Sequence, residues 1–371
     1  MVPLRLCFGI LILFLTLCGS AQVPDRKRQQ PKIQLALLVD ISGSMDALLN
    51  QTKSQFWNTA NYLSSAAKQG EKPVVEIALI TYGGALDSAS QHCRVLTDLT
   101  ADLDSVAEHL DRIKIGGSYE FCWGAIDHAL DKFNWSSQKN DLKLIVIAGN
   151  ESFNQGRFDP DRIIQKAKKE NVMINTIFCS RKDDAEYLSW SNAAKLFSGE
   201  FSMIDIQDTI RSKETDMDSK LIEFNDKLNG TYIPYGDDGK IYFERMLKQD
   251  RSTKLLGISF FRDRIYYKVS PAFRNPAWDL IDAVDMDSSF LEKIDTLALP
   301  KTIRNLAPAQ LLEFIRDTQH RRNDYQDAIR MRYERLMKYL GPAKKGLTID
   351  DSIKKILEEQ GRRKGFFFSR E

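Results

Sequence analysis

The sequence predicts a doubly wound, mostly parallel α/β sheet followed by an α-helical extension. Three observations lead there. Strand-like and helix-like patterns alternate from Lys32 to about Ile206, as in a sheet covered by helices on both faces. An apolar run, Ile33 to Val39, ends in the turn Asp40-Ile41-Ser42-Gly43-Ser44-Met45 and is followed at once by a long amphipathic stretch. After Gln207 strand-like runs become rare and helical ones take over.

Taken in order, the chain opens with Arg5, an apolar stretch from Leu6 to Leu17, and the small residues Gly19-Ser20-Ala21, the layout of an export signal cleaved before Gln22. The apolar stretch is short for a membrane-spanning helix, which needs about 20 residues. Cys18 suggests a lipid anchor, but the large Leu17 before it disfavours one. Residues 1–21 are thus expected to be a signal peptide and 22–31 a linker, with the protein periplasmic or extracellular. Strands are expected near 33–40, 74–82, 92–98, 142–149, 172–179 and 201–206. Helices are expected near 46–69, 102–112, 121–133, 159–170 and 184–197, the fourth opened by Asp159-Pro160. The first amphipathic stretch places Leu48, Phe56, Ala60 and Leu63 on one face.

Further helices are expected over 218–228, 239–253, 256–269, 277–284 and 308–340, separated by Asn229-Gly230, Ser270-Pro271 and Leu299-Pro300. The last would span about 50 Å at ~1.5 Å per residue, so it projects, pairs with another helix, or packs on those before it. Its apolar residues Leu311, Phe314, Ile315, Ile329, Tyr333 and Leu336 would form that contact. Residues 346–371, with Arg362-Arg363-Lys364 and Phe366 to Phe368, read as a charged, solvated tail.

Composition excludes some classes. Lysine plus arginine number 53 and aspartate plus glutamate 51, so no global field steers the protein to nucleic acid. No segment after the leader is long and apolar enough to span a bilayer. There is no Gly-x-Ser-x-Gly elbow and no phosphate-cradling Gly-Lys-Ser/Thr loop. Histidines 92, 109, 128 and 320 show no metal-ligand spacing. Ser42 stands where an aspartyl phosphotransferase would carry its second aspartate. Cys93, Cys122 and Cys179 lie beyond the leader; Cys122 and Cys179 form one disulfide near the sheet's carboxyl edge, or all three are buried thiols. Four Asn-x-Ser/Thr triplets, at Asn50, Asn134, Asn150 and Asn229, matter only in a glycosylating host.

The turn Asp40-x-Ser42-x-Ser44 puts one carboxylate and two hydroxyls at the end of a strand, a set of oxygens suited to a hard cation such as Mg²⁺. In a doubly wound sheet that position lies at the switch point where ligands bind. With strand before and helix after, the turn resembles the von Willebrand factor A (VWA) domain family, in which Asp-x-Ser-x-Ser begins a metal-ion-dependent adhesion site (MIDAS) on a Rossmann-like fold. The resemblance places this domain over 32–206 and a helical region over 207–345. Segments Asn225 to Tyr235 and Asn275 to Leu280 further resemble those following such domains in exported bacterial proteins.

The resemblance implies Asp40, Ser42 and Ser44 as ligands of Mg²⁺, or of Mn²⁺ or Ca²⁺, with Ser118 of the Gly116-Gly117-Ser118 loop as a further ligand and Glu120 assisting. It also exposes a departure: where the family carries Thr-Asp-Gly after the fourth strand, this chain has Ala148-Gly149-Asn150-Glu151. Asn150 or Glu151 would have to supply the missing oxygen from a shifted direction, which implies weak binding. The expected function is a non-enzymatic, exported binding module whose cation is completed by a partner protein's acidic side chain. One alternative is a structural envelope or secretion-assembly protein with a degenerate site, acting through its helices. A metal-dependent hydrolase is a third, for which no general base stands by the turn.

Overall fold

The structure, a computed structural model, describes residues 30–84, 93–117, 119–204, 214–341 and 348–369. The leader, most of the linker and Ser118 therefore lie outside the described residues. A six-stranded sheet is built from β1 (Lys32–Asp40), β2 (Val74–Tyr82), β3 (Cys93–Thr100), β4 (Leu142–Gly149), β5 (Met173–Phe178) and β6 (Phe201–Met203). Its spatial order is β3-β2-β1-β4-β5-β6. β3 runs antiparallel to β2, and the other pairings among the described residues are parallel. Chain order reverses between β1 and β4, so the carboxyl ends of these two strands, Asp40 and Gly149, flank the switch point.

β1 and β4 are buried almost throughout because both faces are covered. Alternate side chains go to opposite layers, following the period of two. Leu35, Leu37 and Val39 join α1 (Asp46–Ser64) and α2 (Leu103–Arg112) on one face. Ala36 and Leu38 join α3 (Cys122–Lys132), α4 (Pro160–Glu170) and α5 (Tyr187–Leu196) on the other. The helix starts follow the sequence: Asp159 accepts a hydrogen bond from Arg162 N, with Pro160 at the first helical position. α1 ends at Ser64, earlier than its periodicity predicts, and a turn follows in which Gln69 and Gly70 take positive φ.

The helical region comprises α6 (Asp216–Asn229), α7 (Gly239–Leu256), α8 (Ile258–Tyr267), α9 (Leu280–Met286), α10 (Phe290–Lys293), α11 (Pro308–Leu340) and α12 (Ile349–Arg363). α7 packs on α2, and α8 and α12 pack on α1, so Phe261, Ile265, Ile353 and Ile356 belong to the same hydrophobic cluster as Leu35 and Leu37. α11 does not project: it lies against α6, α8 and α9, with Ile329, Tyr333 and Leu336 in that cluster and Ile315 in a smaller one around Leu280 and Ile303. Between these layers the charges are paired. Arg264, fully buried, holds Asp104 of α2 at 2.6 Å and Asp250 of α7 at 3.1 Å, and its guanidinium lies 4.2 Å from the Trp57 ring centroid. Lys268 reaches Asp250 at 2.7 Å. Burial works against charge on Asp250, but Lys268 and Arg264 outweigh it and hold the carboxyl down to about 2.

The closing segment corrects the expectation of a solvated tail. Thr348 and Asp351 cap α12 reciprocally, and Ile349, Ile353, Ile356 and Leu357 are buried along one face, each such side chain contributing about 1.5–3 kcal/mol. Gln360 Nε2 donates to Asn175 Oδ1 at 2.6 Å under the sheet, and Ala67 and Phe367 exchange backbone hydrogen bonds of 2.8 and 2.9 Å. The apolar spacing of four, then three, then one was legible in the sequence, but the surrounding charges masked it. The disulfide expectation is likewise corrected. Cys122 faces one layer of the sheet and Cys179 the other, and Cys93, Cys122 and Cys179 are buried outside any disulfide among the described residues.

Candidate metal centre at the carboxyl edge of the sheet

Asp40 ends β1 with no exposed surface, and Ser42 N donates to its Oδ1 at 2.8 Å. That bond turns the chain back on the carboxylate, so the Ser42 and Ser44 hydroxyls lie 3.3 Å apart beside it. Ser44, exposed to solvent, also donates to Asn150 Oδ1 at 3.2 Å across the switch point. Neighbouring loops are tied to the turn by backbone bonds, from Ile41 N to Tyr82 O at 2.9 Å and from Gly116 N to Ile41 O at 2.8 Å. Gly83 lies against the carboxylate: at φ +81° a Cβ there would sit 2.4 Å from Asp40 Oδ1. Only glycine lets the backbone approach so closely.

Glu120 is the second buried carboxylate, packed against Asp40 and Ser42. Its backbone N donates to Gln155 Oε1 at 3.3 Å and its carbonyl accepts from Cys122 N at 3.0 Å, which sets it just before α3. Asp40 Oδ2 and Glu120 Oε2 are both buried with no hydrogen-bond partner. Two buried carboxylates set against each other, each with one oxygen lacking a donor, cannot both be ionised at low cost. Burial first, then Glu120, pushes the Asp40 carboxyl up to about 9, and burial raises Glu120 as well. At neutral pH the pair therefore holds a proton unless a cation takes its place.

The missing aspartate has a structural cause. A Cβ on Gly149 would meet Tyr82 Oη at 2.5 Å and two Trp190 ring atoms at 3.0 Å. Tyr82 Oη donates to Ala148 O at 2.7 Å and Trp190 Nε1 to Glu151 O at 2.7 Å, so both fully buried rings are fixed. The space in which a third-loop carboxylate would stand is filled by aromatic side chains.

Of the residues singled out from sequence, Asp40, Ser42, Ser44, Glu120 and Asn150 come together here. Glu151 is exposed and reaches the site only through its charge, which raises Glu120, and through its backbone. Ser118 lies outside the described residues. Sequence reasoning gave Glu120 a minor part and missed Gly83, Tyr82 and Trp190 altogether; nothing in their local pattern marks them. Among the described residues no group of three or more His, Cys, Asp or Glu side chains could hold a metal, so a cation here depends on hydroxyl and amide oxygens beside two carboxylates. Those oxygens, and the two orphaned atoms above all, fit a hard cation.

Residues 34–200 match the family profile of the von Willebrand factor type A domain. No curated protein matches the chain. Among solved structures, the chain is similar to proximal thread matrix protein 1 from the mussel byssus with a zinc-occupied MIDAS motif, at 14% identity and TM-score 0.38, over 52% of this chain and 44% of that one. It is similar to a von Willebrand factor type A protein from Catenulispora acidiphila at 15% identity and TM-score 0.37, over 48% and 40%. The SpRpn10 VWA domain is 19% identical at TM-score 0.31, over 47% and 88%. The chain spans less than half the length of the first two of these proteins. Residues 34–200, which carry strands β1 to β5 and the Asp40-x-Ser42-x-Ser44 turn, are matched as a von Willebrand factor type A domain.

Proposed function

We propose that the protein is a divalent-cation-dependent protein-binding module. The observation that carries this reading is the pair of buried, unpartnered oxygens, Asp40 Oδ2 and Glu120 Oε2, next to the Ser42 and Ser44 hydroxyls. Asp40, Ser42, Ser44 and Glu120 would hold Mg²⁺, Mn²⁺ or Ca²⁺, with Ser118 as a further oxygen, and the ion would offer its open position to a partner's acidic side chain. The protein's own part is to orient these groups: Ser42 N fixes Asp40, Asn150 fixes Ser44, and the Tyr82 and Trp190 rings keep a third carboxylate out. With few protein charges around it, the cation would remain electrophilic toward a carboxylate.

Among the described residues nothing in this geometry resembles an activated nucleophile, which favours a binding role over hydrolysis. Export belongs to the same reading and rests on residues 1–21 of the sequence; among the described residues no helix is long and apolar enough to cross a membrane. Calorimetric titration of the protein with Mn²⁺, Mg²⁺ and Ca²⁺ tests the proposal. Saturable binding lost in Asp40→Ala supports it. No heat and no thermal stabilisation with any of the three ions defeats it. One observation favours a second reading: because Gly149 leaves no carboxylate in the third loop, the site could persist as a proton-sharing pair, with partners engaged through the helices instead. In that case a truncation removing 207–371 abolishes partner capture and Asp40→Ala does not.

A further inference from the structure

At the amino edge of the sheet, where β1, β2, β4 and β5 begin, the chain closes with three phenylalanines that go different ways. Phe366 is buried, with Lys68 Nζ 4.6 Å from its ring centroid, and Phe368 stacks on Tyr62 at 5.0 Å. Phe367 between them is held by its backbone, which exchanges hydrogen bonds with Ala67, and the residue is 66% exposed. One exposed ring is ordinary on a protein surface; a ring set in a basic rim is a different case.

The rim is tied together from the closing segment, the loop before β4 and the end of α4. Lys364 Nζ donates to Lys139 O at 2.8 Å and to Asn171 Oδ1 at 3.4 Å, and Asn171 Nδ2 donates to Lys139 O at 3.0 Å. Lys139, Lys168, Lys169 and Arg362 are exposed cations on it. Most carboxylates nearby are engaged or withdrawn. Asp141 is buried and accepts from Lys32 N at 3.0 Å and Ser136 Oγ at 2.6 Å. Glu76 pairs with Lys32 at 2.6 Å, Glu200 with Arg363 at 3.3 Å and Asp131 with Lys166 at 2.8 Å, while Glu170 and Glu359 are half-buried. Exposed Glu71 shares its turn with Lys68 and Lys72. Lys68 feels both signs: burial lowers it, the Asp141 charge raises it and Lys364 lowers it again. β1 starts at Lys32 on this same edge, so the sequence stretch Arg26-Lys27-Arg28 joins the domain here.

We propose that this rim docks on an anionic phospholipid bilayer, with the Phe367 ring entering the headgroup region and Lys139, Lys168, Lys169 and Arg362 set against lipid phosphates. Cations close to such a surface are attracted to it, and an apolar ring buried at the acyl boundary adds to the attraction. Asp40 lies at the opposite edge, so a bilayer here leaves the candidate metal centre open to a protein partner. The five tryptophans of the chain are all buried, so an indole placed at position 367 is the one that lipid can quench. The test mixes the full chain carrying Phe367→Trp with brominated vesicles of phosphatidylcholine plus phosphatidylglycerol, and with brominated vesicles of phosphatidylcholine alone. Saturable quenching, stronger with the anionic vesicles and reversed by salt, is expected. Lys139→Gln, Lys168→Gln and Arg362→Gln, at exposed positions, should each weaken binding about fivefold and together about a hundredfold. All these chains share the apolar leader, so differences between them report the rim. Tyr119→Trp, beside Glu120 at the opposite edge, should stay unquenched. No quenching at position 367, equal quenching by both kinds of vesicle, equal quenching of Tyr119→Trp, or a triple variant that binds like its parent overturns the proposal. So does tighter binding to a DNA duplex than to the anionic vesicles, which would assign the cations to nucleic acid.

Discussion

Replacing Gly149 with aspartate restores the residue that the domain family carries at the end of the fourth strand, and the structure predicts that it will harm the protein. The new Cβ would lie 2.5 Å from Tyr82 Oη and 3.0 Å from two atoms of Trp190. Neither ring can yield cheaply, since both are fully buried and are hydrogen-bonded to backbone carbonyls, Tyr82 at the end of β4 and Trp190 just after it. Overpacking of this kind costs about 1–3 kcal/mol, and breaking the Tyr82 bond to Ala148 O leaves a buried carbonyl unmet at a further ~1–3 kcal/mol. A loss of about 2–6 kcal/mol is therefore expected, large for one substitution. Urea denaturation of Gly149→Asp, Tyr82→Phe and the double variant forms a cycle in which the double should recover about 1 kcal/mol, because the offending hydroxyl is gone. Gly43→Asp, where a Cβ meets nothing within 4 Å, is the control. If Gly149→Asp lies within about 0.5 kcal/mol of native stability, the aromatic plug is not where we describe it and the account of the missing carboxylate fails.

Two further outcomes follow from the site and the core. Because Asp40 is raised to about 9 from an unfolded value near 4, its contribution to metal-free stability is fully present below pH 4 and is lost as pH rises toward 9. Thermal melts in chelator should fall across that window by no more than about 1.4 kcal/mol per pH unit, and Glu120→Gln should flatten the fall while abolishing any stabilisation by divalent ions; an unchanged slope would show that the two carboxylates do not interact. Ile356→Ala, in the fully buried face of α12, should cost about 2–4 kcal/mol in urea titration. A solvated tail would instead give no measurable change.

Much of the framework was legible because each strand and helix carries its own local pattern. Ile33 to Val39 is apolar on both faces, as only a strand covered on both sides can be, and Asp159-Pro160 announces a helix start whatever surrounds it. The Asp40-x-Ser42-x-Ser44 turn was readable for the same reason, since its three oxygen-bearing side chains lie within five residues of chain. Glu120 was undervalued because its meaning depends on Asp40, 80 positions earlier in the chain, and α12 was misread because its buried face is small among many charges.

By itself the sequence determined the order of the sheet's strands and their covering helices, the switch-point position of the turn and the chemistry of its oxygens. Only the tertiary structure decided which carboxylates meet, why Gly149 is glycine, and that Arg264 and Lys268 are buried against Asp104 and Asp250. The physical reason is range. Dihedral preference and periodic hydrophobicity act over a few residues and are written along the chain, whereas desolvation, charge pairing and steric exclusion depend on atoms that the fold alone brings together.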